Sequence, residues 1–154
     1  MTPLAFPSIE WFEALGKLME EHRVRHEHVG TIDCVAQFTV FHPADEAKHR
    51  HFQVTFELYS ATGVAEVSEG QSSHADFVMA TDLDVWAEMI DNIAEHGGKP
   101  DLEHSLNRLS LPGVPMRVWA DDPLGRDMFF RFNQSLQEYV NASAQLETVY
   151  PDLD

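Results

Sequence analysis

The sequence has little cysteine, few basic residues and no long apolar run, and each shortage excludes a class of protein. A single cysteine, Cys34, excludes an internal disulfide framework and is typical of the reducing cytoplasm, where we expect the protein to reside. The 10 Lys and Arg residues face 26 Asp and Glu residues, a formal charge of −16, which argues against nucleic-acid binding through clustered cations. Since no run of about 18 apolar residues is present, the sequence predicts no integral membrane segment.

The length of 154 residues and the hydrophobic share of 44% fit one globular domain. A domain of this size buries about 68–70% of its unfolded-chain surface and needs neither metal nor disulfide for stability. We predict a single domain over residues 1–154, with its core in residues 6–142 and a C-terminal tail in residues 143–154. The end of that tail, 150–154, is expected to fray.

Three helices are predicted from capping residues that precede apolar positions at helical spacing. Ser8 precedes the first helix, which we expect to fade into the polar run 20–28. The segment 81–84, Thr-Asp-Leu-Asp, has the capping-box pattern before the second helix, and Gly97 ends that helix. Asp122, followed by a proline, predicts the start of the third helix.

Alternating apolar and polar residues predict four strands with short connections, at 32–40, 52–59, 64–67 and 75–80. This spacing favours an antiparallel meander. Residues 109–111 and 116–119 are candidates for one or two last strands. The predicted fold class is therefore α+β, with a mainly antiparallel sheet of about five strands covered by helices on one face.

The stretch 75–86 resembles a known family. It combines an Ala-Asp strand, alternating apolar residues, an acidic cap and an aromatic-led helix, and it is similar to the signature of the sterol carrier protein type 2 domain family. The opening segment 6–11, Phe-Pro-Ser-Ile-Glu-Trp, resembles the start of bacterial members that carry an N-terminal helix. The order of helices and strands agrees with the family over most of residues 6–142.

This resemblance implies a hydrophobic cavity between sheet and helices that holds or transfers a sterol, a fatty acyl chain or a similar lipid without enzymatic activity. The family contributes no catalytic residue, and we expect no cofactor. The inward positions that match its motifs are implied as lining residues, and they are Phe77, Met79, Trp86 and Ile90. Periodicity alone adds four further lining positions, which are Val54, Phe56, Phe132 and Leu136.

The abundance of adaptable apolar side chains leaves three functions open. Ten Phe and six Met residues suit an imprecise lipid pocket, and an ordinary packed core uses the same residue types. The alternatives to a lipid carrier are an isomerase or hydratase acting on a steroid or acyl substrate in the same cavity, and an interaction module with a solid core. A buried Asp or His that opens into the cavity with a shifted pKa would favour the enzyme.

The sequence contains nine histidines, which are common metal ligands. Their spacing does not match a metal-binding pattern. His22 and His26 stand four residues apart, and His49 and His51 share one strand face, yet neither an HExxH pattern nor a cysteine partner accompanies them. We therefore predict no metal site. Phe130 is expected on the polar side of the last helix, as a plain surface aromatic, a homodimer contact or a lip at which lipid enters.

Overall fold

The computed structural model describes residues 2–111 and 113–153. The strands in these residues are β1 (Leu4–Ala5), β2 (Cys34–His42), β3 (Asp45–Glu57), β4 (Ser60–Val67), β5 (Phe77–Asp82), β6 (Arg117–Trp119) and β7 (Thr148–Val149). Five of them form one sheet in the spatial order β4-β3-β2-β5-β6, while β1 and β7 form a separate parallel pair. The predicted α+β class and the sheet of about five strands are confirmed.

The main sheet is mixed, which corrects the predicted meander. β3 pairs antiparallel with β2 and β4, and β6 pairs antiparallel with β5. β5, however, lies parallel to β2, with Phe77 opposite Ala36 and Met79 opposite Phe38. The chain leaves β4 at one edge of the sheet and returns beside β2 after a 3-10 helix at Glu69–His74. Residue alternation reports the two faces of a strand and not its neighbours, so it carried no signal for this crossover.

The described residues form five α-helices, which are α1 (Ile9–Glu21), α2 (Arg23–Val29), α3 (Leu83–Glu95), α4 (Leu106–Leu109) and α5 (Pro123–Asn141). The side chains of Ser8 and Asp122 accept backbone hydrogen bonds at the starts of α1 and α5, as predicted. The cap of α3 is Asp82, one residue after the Thr81 that the capping-box pattern indicated.

Two segments differ from their predicted structure. The polar run 20–28 does not fade into coil, because α2 follows α1 directly and buries His26. Residues 109–111, a candidate strand, instead end the short helix α4, which Ser105 caps, and continue into a turn. The other candidate, 116–119, is confirmed as β6. The Ser105 cap is a local feature that favours helix over strand at α4.

Helices α1, α3 and α5 pack on the same side of the sheet, so the predicted one-sided cover is confirmed. Phe12 of α1 stacks on Phe52 with ring centroids 5.2 Å apart, and Trp86 of α3 lies 5.8 Å from Phe38. α5 packs against β5. Since successive strand residues point to opposite faces, His51, next to Phe52, lies on the face away from α1, α3 and α5.

The C-terminal segment packs onto the rest of the chain, which corrects the expected fraying. A 3-10 helix at Ala142–Gln145 follows α5, and β7 then pairs with β1. The Tyr150 hydroxyl donates to the Asp91 carboxylate at 2.8 Å, and Leu153 is 5% exposed. These side chains bury apolar surface that compensates for the ordering of the segment.

Gly125 marks a close approach between the first turn of α5 and the chain that enters β5. A Cβ atom at this position would lie 1.9 Å from the Asp76 carbonyl oxygen and 2.8 Å from the Ala120 Cβ. A residue without a side chain is therefore required for the helix to pack at this distance.

Candidate functional site

The eight residues predicted to line a lipid cavity all lie in the apolar layer between the sheet and the helices. They come in pairs from four elements, with Val54 and Phe56 on β3, Phe77 and Met79 on β5, Trp86 and Ile90 on α3, and Phe132 and Leu136 on α5. Their exposed fractions run from 0% to 9%. The fold thus brings these positions together in one core, and their contact with a lipid stays a prediction.

Aromatic side chains pack closely within this layer and direct their polar atoms to the backbone. Tyr139 meets Phe56 edge-on at a centroid distance of 5.0 Å, and its hydroxyl donates to the Phe12 carbonyl oxygen at 2.8 Å. The Trp86 indole N–H donates to the Thr39 carbonyl oxygen at 3.1 Å. These groups therefore contribute apolar surface to the layer without an unpaired polar atom.

Two ionisable groups, the Cys34 thiol and the Tyr139 hydroxyl, belong to the layer. Burial raises the pKa of Cys34 to about 12, and the charges of Asp76 and Asp33 add to this effect. Burial also raises the pKa of Tyr139 well above its ordinary value. Both groups stay protonated near neutral pH, so neither is suited to act as a general base there.

A hydrogen-bonded network lies on the opposite face of the sheet, against the 3-10 helix at Glu69–His74. Gln37 Nε2 donates to Thr39 Oγ1 and to Ser72 Oγ at 3.0 Å each, and Thr39 Oγ1 lies 2.8 Å from His51 Nδ1. Gln37 Nε2 also lies 3.3 Å from His51 Nδ1, so the contacts of the imidazole in this network are made by Nδ1 and none by Nε2. That nitrogen is buried without a partner in the described residues. Burial lowers the pKa of His51, and the nearby His49 lowers it further.

An open cleft of about 920 Å³ lies on the helical side of the molecule. Its walls are α2, the C-terminal ends of α1 and α5, and the loop Gly97–Lys99 after α3. None of the eight predicted lining residues borders it. Sequence reasoning missed this cleft because it placed no helix at α2. The spacing of His22, His26 and His28 was the one signal in the sequence that pointed to the region.

His26 forms part of the cleft wall and is almost fully buried. The side chain is 3% exposed, and its Nδ1 has no hydrogen-bond partner in the described residues. Burial lowers the pKa of His26, while the carboxylate of Glu138 acts in the opposite direction. Glu138 itself pairs with Arg25 at an N–O distance of 2.6 Å. The imidazole is therefore neutral at pH 7 and keeps unused hydrogen-bonding capacity.

A second, acidic cleft of about 490 Å³ runs along α3. Its lining includes Asp84, Glu88, Asp91 and Glu95. His104 bridges two carboxylates there, with Nε2 2.9 Å from Glu88 and Nδ1 2.6 Å from Asp101. Hydrogen bonds to Glu88 and Asp101 raise the pKa of His104. Across residues 2–111 and 113–153, no group of three or more His, Cys, Asp or Glu side chains is arranged to hold a metal ion.

Phe130 is 48% exposed on α5, on the polar side of the helix where the sequence placed it. The guanidinium carbon of Arg126 lies 6.0 Å from the centre of its ring. Its predicted part in a dimer or at a lipid lip stays a prediction. Among the described helices, none combines the length and the apolar character needed to cross a bilayer.

Comparisons with known proteins give similarity at the level of structure. No family model and no curated protein matches the sequence. The crystal structure of sterol carrier protein 2 is similar with a TM-score of 0.61 and 18% identity, over 90% of this chain and 97% of that chain. A solution structure from Thermus thermophilus, of a conserved hypothetical protein described as possibly a sterol carrier protein, is similar with a TM-score of 0.57 and 16% identity, over 88% of this chain and 87% of that one. Because both likenesses extend over most of the chain, the protein has the sterol carrier protein 2 fold, as the stretch 75–86 indicated.

Proposed function

We propose that the protein binds and carries a lipid, such as a sterol or a fatty acyl chain, without converting it. The observation that carries this proposal is the shared apolar layer, in which residues from β3, β5, α3 and α5 meet in a fold similar to sterol carrier protein 2. The proposed lining is the set of eight residues described above. A lipid would enter by displacing adaptable side chains such as Met79.

The energetics support binding of moderate affinity. Burial of about ten methylene groups at about 0.8 kcal/mol each gives about 8 kcal/mol. Losses of translational freedom and the displacement of packed side chains offset part of this gain, which leaves dissociation constants of the order of micromolar. A carrier that must release its ligand is served by affinity in this range.

The distribution of titratable groups favours a carrier over an isomerase or hydratase. The eight proposed lining residues contain no ionisable side chain. The two buried histidines with lowered pKa values lie elsewhere, with His51 on the opposite face of the sheet and His26 in the α2 cleft. Proton transfer on a steroid or acyl substrate needs an acid or base within hydrogen-bond reach of the reacting atom.

A thermal-shift screen with sterols, fatty alcohols and acyl thioesters tests the proposal. Ligand at about 100 times its dissociation constant should add about 2.7 kcal/mol of stability, which raises the Tm of a domain of this size by roughly 5 °C. Mass spectrometry should then recover each ligand unchanged. No shift with any apolar ligand, and no lipid retained in native mass spectrometry of the freshly purified protein, would contradict lipid binding. Conversion of a ligand would establish the enzyme instead.

A bulky substitution in the apolar layer tests whether the lipid binds there. Ile90→Trp adds volume between α3 and the sheet and should weaken neutral-lipid binding at least about tenfold. Leu124→Trp, at a position that is 66% exposed, is the matched control and should leave binding unchanged. Since overpacking costs about 1–3 kcal/mol, the melting curve of each variant is compared first. If Ile90→Trp does not fold, the smaller change Leu136→Phe replaces it. Equal affinity in the folded core variant and the control would exclude the layer as the site.

Two further parts of the proposal concern the protein's surroundings. The single free thiol of Cys34 is compatible with a reducing cytoplasm, where we place the protein. A homodimer through the exposed ring of Phe130 is tested by sedimentation, since Phe130→Asp should shift a dimer to monomer. A wild-type protein that sediments as a monomer would exclude the dimer.

A further inference from the structure

A lipid needs a route into the apolar layer. The eight proposed lining residues are at most 9% exposed, and none of them borders either of the two clefts described above. A ligand that reaches them must therefore displace part of the cover. The elements differ in how firmly they are held, and this difference indicates which part of the cover moves.

The segment 99–111, which follows α3, closes one side of the layer with two leucine side chains. It contains a 3-10 helix at Leu102–His104 and the four-residue helix α4. Leu106 and Leu109 are 0% and 7% exposed and belong to the apolar layer, whereas Leu102 is 88% exposed. Most of the segment is therefore at the surface, and its apolar anchorage is small.

Side chains attach this segment to one turn of α3. Asn92 donates through Nδ2 to the Asp101 carboxylate at 3.0 Å and accepts from the Asp101 backbone N–H at 2.9 Å. Nε2 of His104 lies 2.9 Å from the Glu88 carboxylate. These contacts fall on the turn of α3 that carries Ile90, one of the proposed lining residues.

Side chains of α5 hold the other end of the segment. Gln137 Oε1 accepts from the backbone N–H of Leu106 at 2.8 Å, and Asn133 Nδ2 donates to Asn107 Oδ1 at 3.4 Å. Both contacts fall on the turn of α5 that carries Leu136, another proposed lining residue. The segment thus bridges α3 and α5 at the level of the proposed lipid site.

The manner of attachment favours local opening. In the part of the chain that the structure describes, no backbone-to-backbone hydrogen bond joins residues 99–111 to α3 or α5. Regions with few buried apolar contacts open at a lower free energy than the core does. Gly97 and Gly98, with φ angles of 70° and 105°, connect the segment to the end of α3. Residues at the ends of elements commonly absorb the dihedral changes of a hinge motion.

We propose that residues 99–111 form a lid that opens to admit lipid to the apolar layer. Asn92 and Gln137 are positioning residues that hold the lid shut from α3 and α5. Withdrawal of Leu106 and Leu109 opens the layer at the junction of these two helices. The inference rests on the proposed function, because it assigns the entry route of that same site.

Hydrogen exchange of the ligand-free protein tests the lid without any lipid. Asn92→Ala and Gln137→Ala each remove the attachment to one helix. Each should speed exchange of the amides of residues 101–111 roughly threefold to tenfold, the factor that corresponds to the net contribution of a side-chain hydrogen bond. Unchanged exchange of these amides in both variants would overturn the proposal, and so would an equal increase over the whole chain.

Two matched variants control this measurement. Gln137→Glu keeps an oxygen acceptor for the Leu106 N–H but loses the donor that Gln137 Nε2 gives to Asn141, so exchange of the lid should stay close to wild type. Tyr150→Phe removes a 2.8 Å hydrogen bond from Asp91 of α3 to the C-terminal segment and should leave the lid unchanged. An effect of Tyr150→Phe as large as that of Asn92→Ala would contradict a specific role of the lid bonds.

Stopped-flow fluorescence with cis-parinaric acid, a fluorescent fatty acid, measures entry and release. A lid that closes over both the empty and the occupied layer gates both rates. Asn92→Ala should therefore raise the association and dissociation rates by the same factor and leave Kd within about twofold of wild type. Ile90→Trp, inside the layer, should instead change Kd. Faster amide exchange in Asn92→Ala with neither rate changed would overturn the lid as the entry route.

A reversible lock tests the opposite change. The double variant Asn92→Cys/Asp101→Cys places two thiols where the native side chains bond to each other. A disulfide between them should slow association of the probe by more than about tenfold, and dithiothreitol should restore it. Cys34 does not compete, because burial raises its pKa to about 12. Equal association rates in the oxidised and reduced protein would contradict the lid.

Failure of the lid and failure of lipid binding give different results. If neither the probe nor any lipid of the thermal-shift screen binds, lipid binding is contradicted and the entry route falls with it. If the probe binds with the same rates in the wild type, Asn92→Ala and Gln137→Ala, the lid alone is overturned and the proposed function stands.

Discussion

The two faces of the central sheet are stabilised by different physics, although they are built from the same strands. Toward the helices, Phe38 and Phe52 are buried among aromatic rings. One residue away, Thr39 and His51 belong to a network of hydrogen bonds on the opposite face. Apolar contacts are non-directional and scale with area, whereas a buried network depends on the geometry of each bond. The first face is therefore able to adapt to a ligand, and the second is the more sensitive to pH.

The largest effect is expected where the helical layer approaches the sheet most closely. Gly125→Ala would place a Cβ atom 1.9 Å from the Asp76 carbonyl oxygen, so α5 must shift away from β5. We expect a loss of more than about 4 kcal/mol, measured by soluble yield and urea unfolding. Gly63→Ala is the control, because no atom lies within 4 Å of the added methyl group. A Gly125→Ala protein with wild-type stability would show that this contact does not hold the layers together.

A matched pair of truncations on β2 compares the two faces directly. Phe38→Ala removes a buried ring from the helical layer and should cost about 3–5 kcal/mol in the free energy of unfolding. Phe41→Ala removes the same ring from the opposite face, where Phe41 is half-buried under the Arg117 guanidinium, and should cost less than half as much. Chemical denaturation of both variants measures the difference. Similar losses would contradict the assignment of the main core to the helical side.

Loss of a single hydroxyl group on the polar face of the sheet should lower the free energy of unfolding. Thr39→Val keeps the shape of the side chain but removes the hydroxyl that Gln37 and His51 share, which leaves the Gln37 amide bonded to Ser72 and weakens the pairing of the buried imidazole. We expect a loss of about 1–3 kcal/mol, the cost of unpaired buried polar groups. Thr55→Val, on the same face of β3 and outside this network, should change the stability by less than about 1 kcal/mol. A near-neutral Thr39→Val would mean that the network contributes no net stability.

The smallest expected effect is on the pH dependence of folding stability, to which His51 and His104 contribute with opposite signs. Burial lowers the pKa of His51 below 6.5, so the unfolded chain binds more protons, and stability falls as the pH drops from about 6.5 toward the folded-state pKa. The bonds to Glu88 and Asp101 raise the pKa of His104, so its contribution is present below pH 6.5 and is lost as the pH rises through the raised value. Each slope stays below about 1.4 kcal/mol per pH unit.

Unfolding of two histidine variants at about pH 5 and pH 7.5 separates these contributions. His51→Gln should reduce the stability that the protein loses on acidification. His104→Gln should increase that loss, because it removes a group that stabilises the fold at low pH. Changes of the same sign in both variants would contradict the assigned pKa directions.

Much of the candidate lipid site could be predicted because strand and helix periods are local properties. Alternation along β3 identified Phe56 as an inward position, and the 3.6-residue period identified Leu136 on α5, while Phe77 and Ile90 were implied by the family resemblance of the stretch 75–86. The α2 cleft could not be predicted in this way. It is assembled from the ends of helices distant in sequence, and Lys99 and Glu138 both line it because of tertiary packing.

The sequence by itself determined which residues form most of the strands and helices, where Ser8 and Asp122 start two of the helices, and which strand faces are apolar. These features depend on interactions within a few residues. Tertiary structure alone decided that β5 lies parallel to β2, that β7 pairs with β1, and that α2 buries His26. Those choices depend on contacts between residues far apart in the chain, whose energies appear only when the layers pack together.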